Sequence, residues 1–290
     1  MTALVLSFFS CTTTNFTKSM VSMSRKANAT GNEGASAILN ATASISNAAD
    51  TITPENEYYI GRAVAATILT HYKVYNAPAK EAYLNEICRV ITENSDKSEI
   101  YNGYHVKILD SNEVNAFSTS GGHILLTRGI LKCARSEDAL AAVIAHEVAH
   151  IHLQHSLKAV KSSRIQEAFK DSADALVTAV ASKAAADKMN EVVGDTVSTM
   201  IKNGYSQSQE YDADKRAVQL MYDAGYDPYA MNDMLSKMSY NQKGSKIGFY
   251  KTHPSPEKRM KKLKSVLKNY NYKNSAAKRL RQKRFKKIMG

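Results

Sequence analysis

Apolar residues recur along the chain with two different spacings, and the change between them lays out the fold. Between Pro54 and about Tyr75, Ile60, Val64, Ile68 and Tyr72 recur every four residues, as on one face of a helix. Thr53 stands where an N-cap belongs, with Pro54 at the first helical position. A second helix is expected from Ala79 to Thr92, carrying Ala82, Leu84, Ile87 and Ile91. The period then drops to two. "YHVKILD" (104–110) alternates as a strand does, and "NAFSTSGGHILLT" (115–127) reads as strand, Ser/Gly turn, strand. Ser136-Glu137-Asp138 caps a long helix that the pattern carries to about Val160. Residues 162–204, rich in Ala, Val and Met, predict two more helices. "SQSQEYDADKRAVQLMYDAGYDP" (206–228) predicts a helix ended by Gly225, with Pro228 opening the next, and "THPSPEKRMKKLKSVL" a turn and a last helix. Many helices with a few short strands predict an α+β, predominantly helical class.

Charge changes the picture at one end only. The chain has 290 residues and a net charge of +12, but residues 251–290 hold 15 Lys/Arg against Glu257 alone, so the first 250 residues sum to about −2. The body is near neutral, and no nucleic-acid motif accompanies the basic end, so no specific nucleic-acid partner is expected. In residues 273–290, eight Lys/Arg occur with no acid; on a helix Ala277, Leu280, Phe285 and Ile288 would share one side. Such a tail, 271–290, suits an anionic membrane surface or a solvated end equally.

No apolar run reaches the length of a spanning helix. "TALVLSFFSC" is a short apolar segment ending at Cys11, with no Lys/Arg before it. Residues 1–11 read as a lipoprotein signal with lipid at Cys11, or as a disordered apolar N-terminus. Residues 12–52, rich in Ser, Thr, Asn, Ala and Gly, read as a flexible tether. Cys88 and Cys133 are left to pair or to stay buried as free thiols.

The chemistry is concentrated in "AVIAHEVAHIHLQH" (142–155). On a helix His150 falls about 40° from His146, so both imidazoles leave one face a turn apart and can reach one zinc ion. Glu147, about 100° round, is off the axis of ligation and placed to activate a water. His152 and His155 come out near 240° and 180°, away from the metal, in structural or supporting roles. A third histidine ligand on the same segment would need Gly and His where Leu153 and Ser156 stand. A carboxylate is therefore expected from a later helix. "QEYDAD" supplies Glu210 as third ligand and, one turn on, Asp214 to hold the far nitrogen of a ligand histidine.

These motifs in this order resemble zinc metallopeptidase family forty-eight, the HtpX-like, Oma-like and CAAX prenyl protease-like gluzincins, in a soluble branch of the bacterial envelope. The resemblance runs over about 54–268 and rests on "YIGRAVAATIL", "NAFSTSGGHILLTRGIL", "EDALAAVIAHEVAHIHLQH", "EYDADKRAVQLMYDAGYDP" and "THPSPEKRM". It implies a zincin-like domain over 53–270, with a small mixed sheet over the active-site helix. It implies one Zn²⁺ per chain on His146, His150 and Glu210, with Glu147 as catalytic base. It implies that the strand from Gly122 to Leu126 offers its edge to a polypeptide substrate, through Gly122, His123 and Ile124, with Asn115 and Ala116 beside it. The glycines would let the peptide approach. His253 of "THPSP" would support the oxyanion, and 162–204 would cover the cleft. The implied activity is endoproteolysis of unfolded or misassembled envelope proteins at the bacterial cell envelope. The rival reading is a chaperone or binding module that keeps the zinc site with little turnover. Unlike the family's membrane members the chain shows no spanning helices, and unlike its repeat-bearing members no long C-terminal helical array.

Overall fold

Three short strands form one mixed sheet whose order differs from chain order. The computed structural model describes residues 54–156, 158, 197, 204–241, 255–273 and 275–290. The expectations at Cys11, in the 12–52 tether, over most of 162–204 and at His253 lie outside the described residues. Strands β1 (His105–Leu109), β2 (Ala116–Thr119) and β3 (His123–Thr127) lie in the order β1-β3-β2. β3 pairs in parallel with β1, His105 beside His123, and antiparallel with β2, Thr119 beside His123. This corrects the expected substrate edge. β3 is hydrogen-bonded on both sides, so Gly122–Leu126 has no edge to offer; among the described residues the strand with one unpaired edge near the active-site helix is β2.

The glycines of the β2–β3 turn serve the fold rather than a ligand. Gly121 and Gly122 have φ of +74° and +92°, which side-chain-bearing residues rarely adopt. A Cβ on Gly121 would lie 2.3 Å from Tyr58 Cα, and one on Gly122 2.3 Å from the Gly103 carbonyl oxygen. The space expected for a peptide is filled by helix α1 (Pro54–His71) and by the loop before β1. Ile124 is fully buried in the core, and His123 packs edge-on against Tyr58.

Helix α1 ends at His71, short of Tyr75. The segment after it turns extended and lies along β1: Tyr75 N–H donates to the Ile108 carbonyl at 2.8 Å and Asp110 N–H to that of Lys73 at 2.7 Å. Helix α2 (Pro78–Glu93) follows. After β3 comes a short helix, α3 (Arg128–Cys133), which the pattern did not reveal. Thr127 caps it, its hydroxyl accepting from Ile130 N–H.

Helix α4 (Glu137–His152) is the axis of the molecule. Ser136 caps it as expected, accepting from Ala139 N–H, and every one of its 16 residues is buried. Helices α5 (Gln207–Asp223), α6 (Ala230–Asn241) and α2 pack round it, with β2 and β3 on a further side. A helix apolar all round is a core helix, and each Leu or Ile it buries contributes about 1.5–3 kcal/mol. Helix α7 (Pro256–Leu267), capped by Ser255, packs across α5 and α6.

Residues 275–290 are not a free tail. Helix α8 (Ser275–Met289) packs on α4 and α2, with Phe285, Ile288 and Met289 against the core. Leu280, expected on the apolar side, is 60% exposed, and Arg281 takes the inward place at 6%. The reason is electrostatic. Arg281 pairs with Asp138 at 2.9 Å, Arg284 with Glu137 at 2.5 Å and Lys278 with Asp227 at 2.6 Å. The apolar side needed for a membrane surface is thus largely spent on the body. Cys88 and Cys133 are free thiols, both buried, and burial pushes the Cys88 thiol up to about 12. Among the described residues no helix is long and apolar enough to cross a membrane.

Candidate metal centre

The apolar helix α4 carries His146, Glu147 and His150 into the centre of the protein, where charged groups persist only if partnered. Their partners come from α5, started by a capping box between Ser206 and Gln209 that sets Glu210 and Asp214 on the face turned to α4. His146 Nε2 and His150 Nε2 are 3.1 Å apart. Glu210 Oε2 lies 3.5 Å from the first and Oε1 3.4 Å from the second. One ligand atom from each of His146, His150 and Glu210 falls within 4.8 Å of the others, all three residues buried. The structure brings together the three residues the sequence picked out as ligands.

The opposite ring nitrogens are held from behind. His146 Nδ1 lies 3.1 Å from Asp214 Oδ1, as expected of Asp214. Donation there leaves the Nε2 lone pair for a cation. Burial, then the charge of Arg259, oppose protonation of His146, but the Asp214 and Glu210 carboxylates outweigh them and lift it to about 9. Burial would raise Asp214; Arg259 and His146 instead hold it below the usual carboxylate range.

His150 is held by a residue the angles misplaced. His155 Nδ1 lies 2.9 Å from His150 Nδ1. Helix α4 stops at His152, and Gln154 takes φ +55°, so the chain turns back and sets His155 beside His150. Extending the helix to Val160 had pointed His155 the opposite way. Burial, then Lys158, depresses His155 to about 4, so the ring is neutral; the Nε2–H tautomer of His155 would accept from His150 Nδ1–H. His152 does face away, meeting the Tyr104 hydroxyl at 3.0 Å and lying near Arg216 and Asp96.

Two residues at the site went unread in the sequence. Arg259 of α7, only 1% exposed, grips Asp214 with Nε at 2.9 Å and Nη2 at 2.5 Å, and its Nη1 lies 3.8 Å from Glu210. The signal was present but masked: Arg259 begins the buried stripe Arg259, Leu263, Leu267, yet stands in a run dense with lysine. Tyr205 stacks on the His150 ring at 4.2 Å and 21°, and its hydroxyl donates to the Ser118 carbonyl of β2 at 3.3 Å. Burial, then the charges of Glu147 and Glu210, hold that hydroxyl protonated.

The residues fit a divalent metal. Among the described residues Glu147, Glu210 and Asp214 are all buried near the guanidinium of Arg259, and a doubly charged ion taking the place of the His146 proton would balance the three carboxylates. Two imidazoles and a carboxylate are a known catalytic zinc set. Glu147 Oε1 is buried beside them with no hydrogen-bond partner among the described residues, an acceptor held ready for a proton. The remaining expected residues behave differently. Asn115 is buried, its side chain accepting from Ala116 N–H at 3.0 Å and donating to Glu113, so it organises the start of β2. Ala116 lies on β2 itself.

The sequence profile of peptidase family M48 matches residues 78–267. The beta-barrel assembly-enhancing protease of Escherichia coli is 26% identical over 192 residues, covering 64% of this chain and 38% of that protein. The mitochondrial metalloendopeptidase OMA1 of Schizosaccharomyces pombe is 29% identical over 187 residues, 64% of this chain and 52% of that one. The Escherichia coli metalloprotease LoiP is 23% identical over 191 residues, 65% of this chain and 72% of that one. The chain spans less than half the length of the assembly-enhancing protease it matches.

Proposed function

The chain belongs to peptidase family M48, and from that membership we propose that it is a zinc-dependent endopeptidase acting on unfolded or misassembled proteins of the bacterial envelope. One observation carries the reading: two imidazole Nε2 atoms and the Glu210 carboxylate converge within 4.8 Å, beside a Glu147 Oε1 that no described residue engages. His146, His150 and Glu210 would hold the zinc. Bound there, zinc would polarise the scissile carbonyl and make a water easier to deprotonate. Glu147 takes the proton from that water and returns it to the leaving amine. Asp214 and His155 keep both ligand rings in the tautomer that presents Nε2, and Arg259 keeps Asp214 ionised. A substrate strand would lie along the unpaired edge of β2, where Tyr205 meets Ser118. His253, just before α7, is proposed as the oxyanion donor, and residues 162–204 as a cover over the cleft. The envelope location rests on the beta-barrel assembly named in one relative and on the segment ending at Cys11, the proposed site of lipid.

The test is metal content of the purified chain beside Glu210→Ala, with casein cleavage beside Glu147→Gln. One zinc per chain, lost with Glu210, and cleavage abolished in both variants are expected. A folded, zinc-free wild type would overturn the assignment. Stoichiometric zinc with no cleavage of any unfolded protein would turn the reading to a binding module.

A further inference from the structure

Sharing no residue with the His146–His150–Glu210 cluster, a cavity of about 690 Å³ opens between β1, α3 and α8. Its interior is apolar: Ile108 is fully buried, Leu131 nearly so, and Phe285 and Met289 come from α8. Its margin is cationic, formed by Lys80, Arg128, Lys132, Arg135 and Lys286, and among the described residues that line it none is acidic. Asp110 pairs with Arg128 from outside the cavity at 2.6 Å. With Asp110 set against the five cations, four positive charges remain in surplus among the described residues.

Arg128 is the built part of this margin. Its guanidinium lies over the Tyr75 ring at 5.0 Å, while its Nε is buried with no hydrogen-bond partner among the described residues. A buried N–H left unmade costs about 1–3 kcal/mol, so an acceptor at this place would be favoured. The cavity volume falls in the range that small ligands occupy.

We propose that this cavity binds a single-chain anionic amphiphile, a fatty-acid-like carboxylate whose head meets Arg128 and its basic neighbours and whose hydrocarbon lies on Phe285 and Met289. An acidic peptide is the less suitable occupant. The outer edge of β1 that could pair with it is already taken, by Tyr75 N–H on Ile108 and Asp110 N–H on Lys73. The proposal does not depend on the zinc reading.

Isothermal titration of the full chain with monomeric oleate tests it, alongside oleyl alcohol, inorganic phosphate, a poly-glutamate peptide and phosphatidylglycerol vesicles. The expected result is saturable binding of one oleate per chain, with alcohol and phosphate each weaker by roughly tenfold or more. Arg135→Glu with Lys286→Glu, both at exposed positions, should weaken oleate roughly tenfold at unchanged casein cleavage. Arg135→Gln with Lys286→Gln is the milder pair if the reversal disturbs folding. No oleate binding, equal binding of the alcohol or of phosphate, or indifference to both pairs of substitutions would overturn the proposal. Tighter binding of the peptide or of the vesicles than of oleate would also overturn it, by naming a different ligand.

Discussion

Arg259 closes a two-point contact on Asp214 inside the protein, Nε to Oδ2 at 2.9 Å and Nη2 to Oδ1 at 2.5 Å. This ties α7 to α5 at the carboxylate that orients His146. Removing one partner of a buried pair strands the other charge. Arg259→Ala is expected to lower unfolding stability by about 3–5 kcal/mol in urea titration. Through Asp214 it should also weaken zinc binding by about 10–100-fold, read by competition with a chelating dye. Wild-type zinc affinity in a folded Arg259→Ala protein would sever that link.

Glu147→Gln preserves shape and removes the base. Zinc content should stay at the wild-type level while casein cleavage falls by about 10²–10⁴-fold. A variant that cleaves normally would exclude Glu147 as base.

Tyr205 contributes a ring and a hydroxyl that can be separated. Tyr205→Phe keeps the stack on His150 and loses the bond to Ser118; Tyr205→Ala loses both. Aromatic pairs contribute about 0.5–1.5 kcal/mol, so zinc affinity should fall about 2–10-fold in the alanine variant and stay unchanged in the phenylalanine one. Equal affinities in the two variants would deny the ring any part in holding His150.

Gly61 lies against the β2–β3 turn so closely that a Cβ would come 1.4 Å from the Ser120 carbonyl oxygen. Gly61→Ala must push α1 off the turn, at an expected cost of about 1–3 kcal/mol in thermal or urea unfolding. An unchanged unfolding midpoint would mean that α1 sits away from the hairpin.

His123 links stability to acid. Burial, followed by the positive charges of His105 and Arg62, depresses it to about 4 from the ordinary 6.5. The folded state prefers the neutral ring, so the unfolded chain binds the extra proton between those values. Stability from His123 is complete above pH 6.5 and lost as pH falls toward 4. With partial exposure discounted, the loss is about 1–2 kcal/mol. His123→Gln should flatten that part of the stability curve; an identical acid slope in the variant would assign it to other groups.

The candidate metal cluster was legible because its two halves are local patterns: His146, Glu147 and His150 lie within two helical turns, and Glu210 and Asp214 are one turn apart. Readings that depended on strand order, on where a helix stops or on distant counter-charges did not carry over. Strand order is not written in chain order, so β3 was taken for an edge although it is inserted between β1 and β2. His155 was misdirected because a single residue, Gln154, leaves the helical region and no local pattern announced it. Arg259 and Arg281 are buried cations in runs of exposed ones, and only the acids they meet, far off in sequence, distinguish them.

The ion pairs between α8 and the head of α4 join residues up to 147 positions apart. Glu137 and Asp138 are each 1% exposed, and both pair with arginines made long after them, Arg284 and Arg281. While the chain is still being made, the helix that carries His146 and Glu147 therefore begins in two buried carboxylates that lack these counter-charges. The order of synthesis thus becomes a timer: the helix bearing His146 and Glu147 gains these counter-charges only after a further 147 positions have been made.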